Sequence, residues 1–518
     1  MSLLKSAAKV GGFTLVSRLL GFLRDQLIAF TLGTGLVAEA FFVAQRLPNL
    51  FRALFAEGAF NNAFVPQFAK KAEGEGQLRA FAFGRDMLSV LFTWMILFCA
   101  AAMIFMPWLM PLLAPGFTGS QEKLDLATEL TRICFPYLGM MSLTALFGGI
   151  LNSLNRFSAP AAAPIFLNIV VICFTLAAWW LGLGNTADTG RFLAWAVTIS
   201  GVVQLVLLLT AARRAGATVL PGKPVLTADV KRVLKLSVPG LISGGITQIN
   251  LLIATMLATG FSGGVAFLYY ADRLFQLPLG LIGVAIGVVL LPTLSRKLRA
   301  GDMQGALDSQ NRALEFSLFL TLPAAAALII IGKPILHTVF EHGAFTRADT
   351  FAVAPVLAAF ATGLPAFTLT KIFQPGFFAR EDTKTPMYFA IAAVVVNIAA
   401  SFILSGPFDY VGIAMATSIA AWFNAILLMT TAIRRGHYAW DKRFRSRLPR
   451  MVIALLVMAA SLYGLNDLLQ DNYAETAGFG KAVWGLVALM AVGAISYFLA
   501  AQLTGAFKLS DLKSAMRR

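Results

Sequence analysis

Residues 87–112 read MLSVLFTWMILFCAAAMIFMPWLMPL, and no Asp, Glu, Lys or Arg interrupts them. A helix crossing the roughly 30 Å hydrocarbon layer of a bilayer needs about 20 such residues, because in lipid every backbone N–H and C=O must be satisfied within its own segment. This stretch is long enough to span. Comparable apolar segments lie on either side of it, at 10–31, 36–56, 127–151, 161–183 and 192–212, and complete a first set of six. A second six follows at 239–260, 265–292, 314–332, 351–373, 387–405 and 411–433, and two more segments lie at 451–466 and 482–504. The expected fold is an all-α polytopic membrane protein of about fourteen transmembrane helices. Its predicted divisions are an N-lobe over 1–225, a C-lobe over 226–436, and a C-terminal helix pair with a tail over 437–518.

Composition agrees with that reading. The chain has 518 residues, 58% hydrophobic and 13% charged, with a mean hydropathy of +0.76, far more apolar than an ordinary globular domain. A formal charge of +17 raises the question of nucleic acid, which favours clustered bases on a soluble face. The positions of the charges answer it. With the N-terminus cytoplasmic, 30 of the 42 Lys and Arg fall in cytoplasmic segments, 5 in external ones and 7 within spans, the asymmetry of the positive-inside rule. The basicity is topological, and no nucleic-acid partner is expected. Lys5 and Lys9 precede the first apolar helix, but Arg18, Arg24 and Asp25 interrupt it and no small-residue cleavage site follows, so it reads as a retained span rather than a signal peptide. Cys99, Cys134 and Cys173 sit in apolar runs without pairing or metal-ligand spacing and are expected to be buried free thiols.

The chain also repeats itself at a separation near 227 residues. Ala44-Gln45-Arg46-Leu47 recurs as Ala271-Asp272-Arg273-Leu274, Pro66 matches Pro292 within a residue, Met106-Pro107-Trp108-Leu109 recurs as Lys333-Pro334-Ile335-Leu336, and Phe117-Thr118 recurs as Phe345-Thr346. Six spans per repeat preserve orientation. The halves should therefore be related by a pseudo-twofold along the membrane normal, a transporter plan that places the site between repeats.

Seven cations fall within spans: Arg18, Arg24, Arg46, Arg52, Arg132, Arg273 and Lys371. Asp25, Glu39, Glu57, Glu129 and Asp272 accompany them. Each charge facing lipid costs about 2.5–3.5 kcal/mol even on the gentler insertion scale, so several together must face a cavity or a partner. Buried ion pairs that fix helix registry are one reading, and Arg46 and Arg273, repeated near paired acids, fit it best. Arg18, Arg24 and Arg52 have no counterpart in the second repeat, where Ile246 and Leu252 stand nearby. That asymmetry points to function. A guanidinium fork binds phosphate oxygens bidentately, so surplus arginine suits a diphosphate better than a cationic drug.

Other chemistry is sparse. His337, His342 and His437 lie in loops or flanks and read as solvated rather than metal-binding. No P-loop, H-E-x-x-H or nucleophile elbow is present. No catalytic set, metal site or resident cofactor is expected, and the chain reads as a transporter, not an enzyme. The glycine pairs Gly240/Gly244 and Gly283/Gly287 signal close helix packing.

SRLLGFLRD at 17–25, AEAFFVAQRLPNLFRALFAEGAFNNAFVPQF at 38–68, YYADRLFQLPLGLIGVAIGVVLLP at 269–292 and PGFFAREDTKTP at 375–386 resemble the MurJ (MviN) family of lipid II flippases, within the multidrug/oligosaccharidyl-lipid/polysaccharide exporter superfamily. The resemblance runs over essentially the whole chain. It implies two pseudo-symmetric six-helix lobes around a central cavity, with the C-terminal pair forming a groove for the lipid tail. It also implies essential arginines at Arg18, Arg24, Arg52 and Arg273, with Asp25, Glu39 and Glu57 nearby, and so moves Arg273 from a structural duty to the substrate. Some relatives bind sodium through an acid on the eleventh span. Here 387–405 offers Asn397 and Ser401 but no carboxylate, which argues against a sodium site and leaves monovalent-ion coupling open. An acid common near Gln276 in the family is also missing.

The expected function is to flip lipid II, the undecaprenyl-diphosphate-linked peptidoglycan precursor, from the cytoplasmic to the periplasmic leaflet of the bacterial inner membrane by alternating access. Lipid II and membrane lipids are the expected partners, the chain is expected to be a monomer, and both termini are expected in the cytoplasm. A multidrug/cation antiporter of the same superfamily would want acids lining its cavity. An integral-membrane glycan-processing enzyme would want paired carboxylates or a metal set in sizeable external loops, and these loops are short.

Overall fold

The computed structural model describes residues 3–53, 60–474 and 478–507, and within them regular structure is helical throughout. The order is α1 (Leu3–Leu32), α2 (Leu36–Arg52), α3 (Phe60–Gly74), α4 (Gln77–Leu113), α5 (Gln121–Cys134), α6 (Pro136–Ser153), α7 (Ser158–Trp180) and α8 (Ala187–Arg214), then α9 (Ala228–Ala258), α10 (Gly264–Arg299), α11 (Met303–Ile330), α12 (Gly332–Val339), α13 (Arg347–Phe378), α14 (Lys384–Arg434), α15 (Lys442–Leu468) and α16 (Phe479–Thr504). Each apolar segment of the sequence falls on these helices, within a few residues at its ends.

Among the described residues, nine helical stretches are long and apolar enough to cross a membrane. In α4, α7, α14, α15 and α16 less than a third of the apolar window is buried inside the protein. Trp108, Ile403, Leu456 and Leu499 are among the large side chains turned outward. Apolar surface on this scale needs hydrocarbon as its solvent. The chain is a multi-pass membrane protein.

The starts of α5, α9, α11, α13 and α15 are capped by short polar side chains. Asp302 accepts from Gly305 N at 2.7 Å and Asp441 from Phe444 N at 2.6 Å. Thr346 and Asp349 form a reciprocal capping box at the start of α13, satisfying donors the first turn leaves open. The 51 residues of α14 would reach about 76 Å at 1.5 Å per residue, more than twice the hydrocarbon thickness. It is broken just past Pro407 by Asp409, at φ 49° and ψ −138°. Segments 387–405 and 411–433 are therefore separate lengths of one continuous element. Likewise α5 and α6 follow one path, Gln121–Ser153, interrupted at Pro136, whose missing N–H removes one ladder bond.

Two compact units emerge, Met1–Ala266 with Gly343–Phe345, and Phe267–His342 with Thr346–Arg518. The core of the first is a phenylalanine cluster in which Phe64 stacks on Phe60 at 5.3 Å and Phe83 at 5.5 Å. Helix α9, which opens the second sequence repeat, packs in this unit against α3 and α4. In the second unit α15 and α16 pack on each other and α15 on α11. Glu315 of α11 there accepts from Arg312, Arg443 and Arg447. Tyr497 of α16 donates to Phe319 O at 2.8 Å.

The first unit also holds two contacts that exchange the ends of the repeats. Ala344 N donates to Phe30 O at 2.7 Å, joining the end of α1 to the turn before α13. Gly116 N donates to Thr259 Oγ1 at 3.1 Å, joining the turn after α4 to the end of α9. A Cβ on Gly343, whose φ is +62°, would sit 2.4 Å from Phe30 O, and one on Gly116 would sit 2.1 Å from Thr259 O. Only glycine permits either approach.

Two expectations need correction. Cys173 is exposed on α7, unlike Cys99 and Cys134, because apolar neighbours in sequence do not distinguish a lipid-facing position from a packed one. His337 is not a solvated loop residue. It lies on α12, its Nδ1 is 2.8 Å from Glu341 Oε1, and its ring meets Tyr473 edge-on.

Candidate substrate site

Helices α1 and α2 meet at the short turn at 33–35, so the charges on each can be ranked by distance along the helix from that turn at 1.5 Å per residue. Glu39 lies about 5 Å from it, Arg24 about 12 Å, Arg46 about 15 Å, Arg18 about 21 Å and Arg52 about 24 Å. By this measure Arg24, Arg46, Arg18 and Arg52 form a graded series of guanidinium groups, with Asp25 beside Arg24 and Glu39 nearest the turn.

Arg24 is held by two partners. Its Nε and Nη2 donate to Asp25 Oδ1 at 3.0 and 2.8 Å, and its Nη1 donates to Asn168 Oδ1 of α7 at 3.1 Å. Asn168 in turn donates to Ser17 O at 2.9 Å. Asp25 is 2% and Asn168 4% exposed, so the plane of the guanidinium is fixed from behind by buried partners. Arg18 is exposed, nearly two turns earlier on the same helix. Arg52, in the last turn of α2, donates from Nε to Asn49 Oδ1 at 3.2 Å. Asn168 was not among the residues singled out from sequence; one amide within the apolar run 161–183 was its signal.

Glu39 stands apart, about 20 Å along α2 from Arg52. It is 1% exposed, forms an ion pair with Lys123 of α5, and accepts from Val265 N at 3.2 Å. Lys123 Nζ also lies 4.2 Å from the centre of the Phe117 ring. This carboxylate therefore joins α2 and α5 to the start of α10. Glu57 lies outside the described residues. By formal charge, Arg18, Arg24, Arg46 and Arg52 outnumber Asp25, Glu39 and Glu57, and Lys123 already engages one of the three acids.

In the second unit Arg273 of α10 lies with Cζ 4.5 Å over the Tyr269 ring one turn earlier, a cation–π contact. Asp272 accepts from Gln276. The remaining intramembrane charges of α5 have anchoring contacts. Arg132 donates to Met103 O at 2.8 Å, and Glu129 receives a two-pronged bond from Arg191 at 2.8 and 3.0 Å. Asn397 Oδ1 accepts from Ser401 Oγ at 3.2 Å, both buried.

Comparison with known proteins adds four findings. The family model described as lipid II flippase MurJ matches residues 28–480. A probable lipid II flippase MurJ of Rhizobium meliloti (strain 1021) is 46% identical over 519 residues, covering 100% of this chain and 97% of that protein. Among solved structures, a lipid II flippase MurJ in an inward closed conformation superposes with a TM-score of 0.79 at 25% identity, covering 95% of this chain and 98% of the other. An inward-facing multidrug resistance MATE family transporter of the MOP superfamily shares the fold, with a TM-score of 0.68 at 13% identity over 83% of this chain and 98% of the other.

Proposed function

The chain belongs to the lipid II flippase MurJ family, and from that membership we propose how its own residues handle the lipid-linked diphosphate. It is a transporter that flips lipid II, and not an enzyme. In our reading Arg18, Arg24, Arg52 and Arg273 are the residues that recognise the diphosphate, and Asp25 holds Arg24 in place. The observation that carries this is the clamp on Arg24. Asp25 and Asn168 fix its guanidinium before any ligand arrives, so the cost of ordering a long side chain is met in folding rather than in binding. Glu39 has a different part in this reading. Bound to Lys123 and the α10 amide, it acts through the arrangement of helices and not on the phosphate.

Transport proceeds by alternating access, with the headgroup admitted from one side and released to the other, and no covalent step is required. Both termini are placed in the cytoplasm, on the side that receives 30 of the 42 basic residues. Two negative charges leaving a cell with an inside-negative potential of about 100 mV move downhill by roughly 4.6 kcal/mol, at about 2.3 per charge. That gradient is sufficient as a driving force without a resident cofactor. A monomer is enough for this scheme. A cation or drug antiporter is disfavoured by the sign of the charges on α1 and α2.

The direct test is lipid II flipping by the purified protein in sealed vesicles, wild type against Arg24→Ala. Flipping should fall by at least about tenfold, the worth of one hydrogen-bonded charge contact. Equal rates would remove Arg24 from the site.

A further inference from the structure

A cavity of 510 Å³ lies in the first unit, lined by Met87, Leu91, Trp94 and Leu97 of α4 and by Pro224, Leu226 and Leu234. Its size lies within the range of about 300–1,000 Å³ usual for small-molecule pockets, and its walls are almost wholly apolar. The segment that forms one wall, between α8 and α9, is built into the protein rather than draped over it. Ala217 and Val219 are buried in the phenylalanine core, and Gly222 N donates to the buried Ser89 Oγ of α4 at 2.8 Å.

The rim of this cleft is basic. Lys223 adjoins Pro224. On α9, Lys231, Leu234, Lys235 and Val238 fall at i, i+3, i+4 and i+7, and all four are exposed, so they form one outward stripe on which two ammonium groups flank an apolar wall residue. Lys223, Lys231 and Lys235 make no ion pair among the described residues. The nearby carboxylate, Asp229, is held by Lys71 at 2.9 Å. Trp94, half exposed in the wall, has the amphipathic ring that settles at the membrane interface. An apolar slot with a cationic mouth at that depth fits one kind of occupant.

We propose that the α4/α9 cleft binds an anionic glycerophospholipid, with an acyl chain between Leu91, Leu97 and Leu234 and the phosphate on Lys223, Lys231 and Lys235. This lipid is distinct from the transported one and binds at a separate place from the arginines of α1 and α2. The proposal takes from the functional reading only the leaflet concerned, the cytoplasmic one, where anionic headgroups meet juxtamembrane bases.

Trp94 reports on the site directly. The full chain is placed in phosphatidylcholine vesicles containing either phosphatidylglycerol or phosphatidylcholine with brominated acyl chains, and Trp94 quenching is taken as the difference between wild type and Trp94→Phe. Brominated phosphatidylglycerol should quench at a mole fraction lower by on the order of a hundredfold, from three bases near the surface. Lys223→Gln/Lys231→Gln/Lys235→Gln should abolish that preference, and Arg213→Gln/Arg214→Gln, a basic pair outside the cleft, should keep it. Equal quenching by the two lipids in wild type, a preference surviving the lysine changes, or one lost equally in the arginine control would overturn the proposal. So would displacement of the brominated lipid by stoichiometric lipid II, which would give the cleft to the substrate. No flipping is measured, so failure here leaves the arginine assignment untouched, and failure of Arg24→Ala leaves this one untouched.

Discussion

Glu39, in the first turn of α2, and Lys123, in the first turn of α5, meet as a buried ion pair between residues 84 apart in the chain. Val265 N brings the start of α10 to the same carboxylate. A lysine at the start of α5 thereby anchors an intramembrane acid, and three helices share one junction.

Breaking that pair from one side leaves a buried charge without its partner, which typically costs about 3–5 kcal/mol. Lys123→Met should lower the thermal unfolding temperature in detergent markedly, and Lys123→Met/Glu39→Gln should recover much of the loss. If the double variant is as unstable as the single one, the pair has no coupling energy.

Asn168→Ala removes the amide that orients Arg24 but leaves every cation in place. Flipping should fall about threefold to tenfold, in line with about 0.5–1.5 kcal/mol for one hydrogen bond, with protein stability much less affected. Vesicle assays and thermal scans on the same preparation separate the two. A full loss of folding would show that Asn168 is a packing residue instead.

Flipping should respond to voltage. If the diphosphate crosses with its charge, imposing an inside-negative potential on vesicles oriented as in the cell should raise the initial rate, and the opposite potential should lower it. Rates independent of imposed potential would show that charge movement is compensated.

Gly343→Ala introduces two penalties, a residue with side chain at φ +62° and a Cβ 2.4 Å from Phe30 O. Gly182, at φ +68° with open space around it, isolates the first. Gly343→Ala should lose stability well beyond the roughly 1–3 kcal/mol expected of backbone strain alone, as read from the difference between the two variants in thermal unfolding.

His437, in the basic loop between α14 and α15, has its pKa lowered by burial and by Arg380 and Arg435. Below the ordinary histidine range the unfolded chain then binds more protons than the folded one, so stability present above about pH 6.5 falls as the solution is acidified. His437→Gln should flatten the dependence of unfolding temperature on pH between neutral and mildly acidic conditions. An unchanged slope would assign it to other groups.

The spans were legible in sequence because their signal is local. A run such as 87–112 excludes water without reference to any neighbour. The two lengths of α14 were separable for the same reason, since Gly406 and Pro407 punctuate them. What escaped was pairwise. Lys123 reads as an external base, and only folding shows its stem reaching Glu39. Asn168 reads as one polar residue in an apolar helix, and its service to Arg24 depends on α7 lying against α1. Helix α12 lay hidden because eight residues are too few for periodicity to stand out from a loop. The exposure of Cys173 depends on which face of α7 meets lipid, and uniformly apolar runs do not record that.

The exchanged contacts have a historical reading. Phe30 with Ala344 and Thr259 with Gly116 are corresponding contacts, each between the first helix of one repeat and the turn after the third span of the other. Two identical ancestral chains bound face to face would have made that handshake with each other, since a twofold dimer necessarily forms each of its contacts in duplicate. Fusion of the duplicated genes then turned a meeting between partners into a fold within one chain. Freed from symmetry, the first helix of one copy could gather Arg18 and Arg24 while its twin kept Ile246 and Leu252 near the matching places.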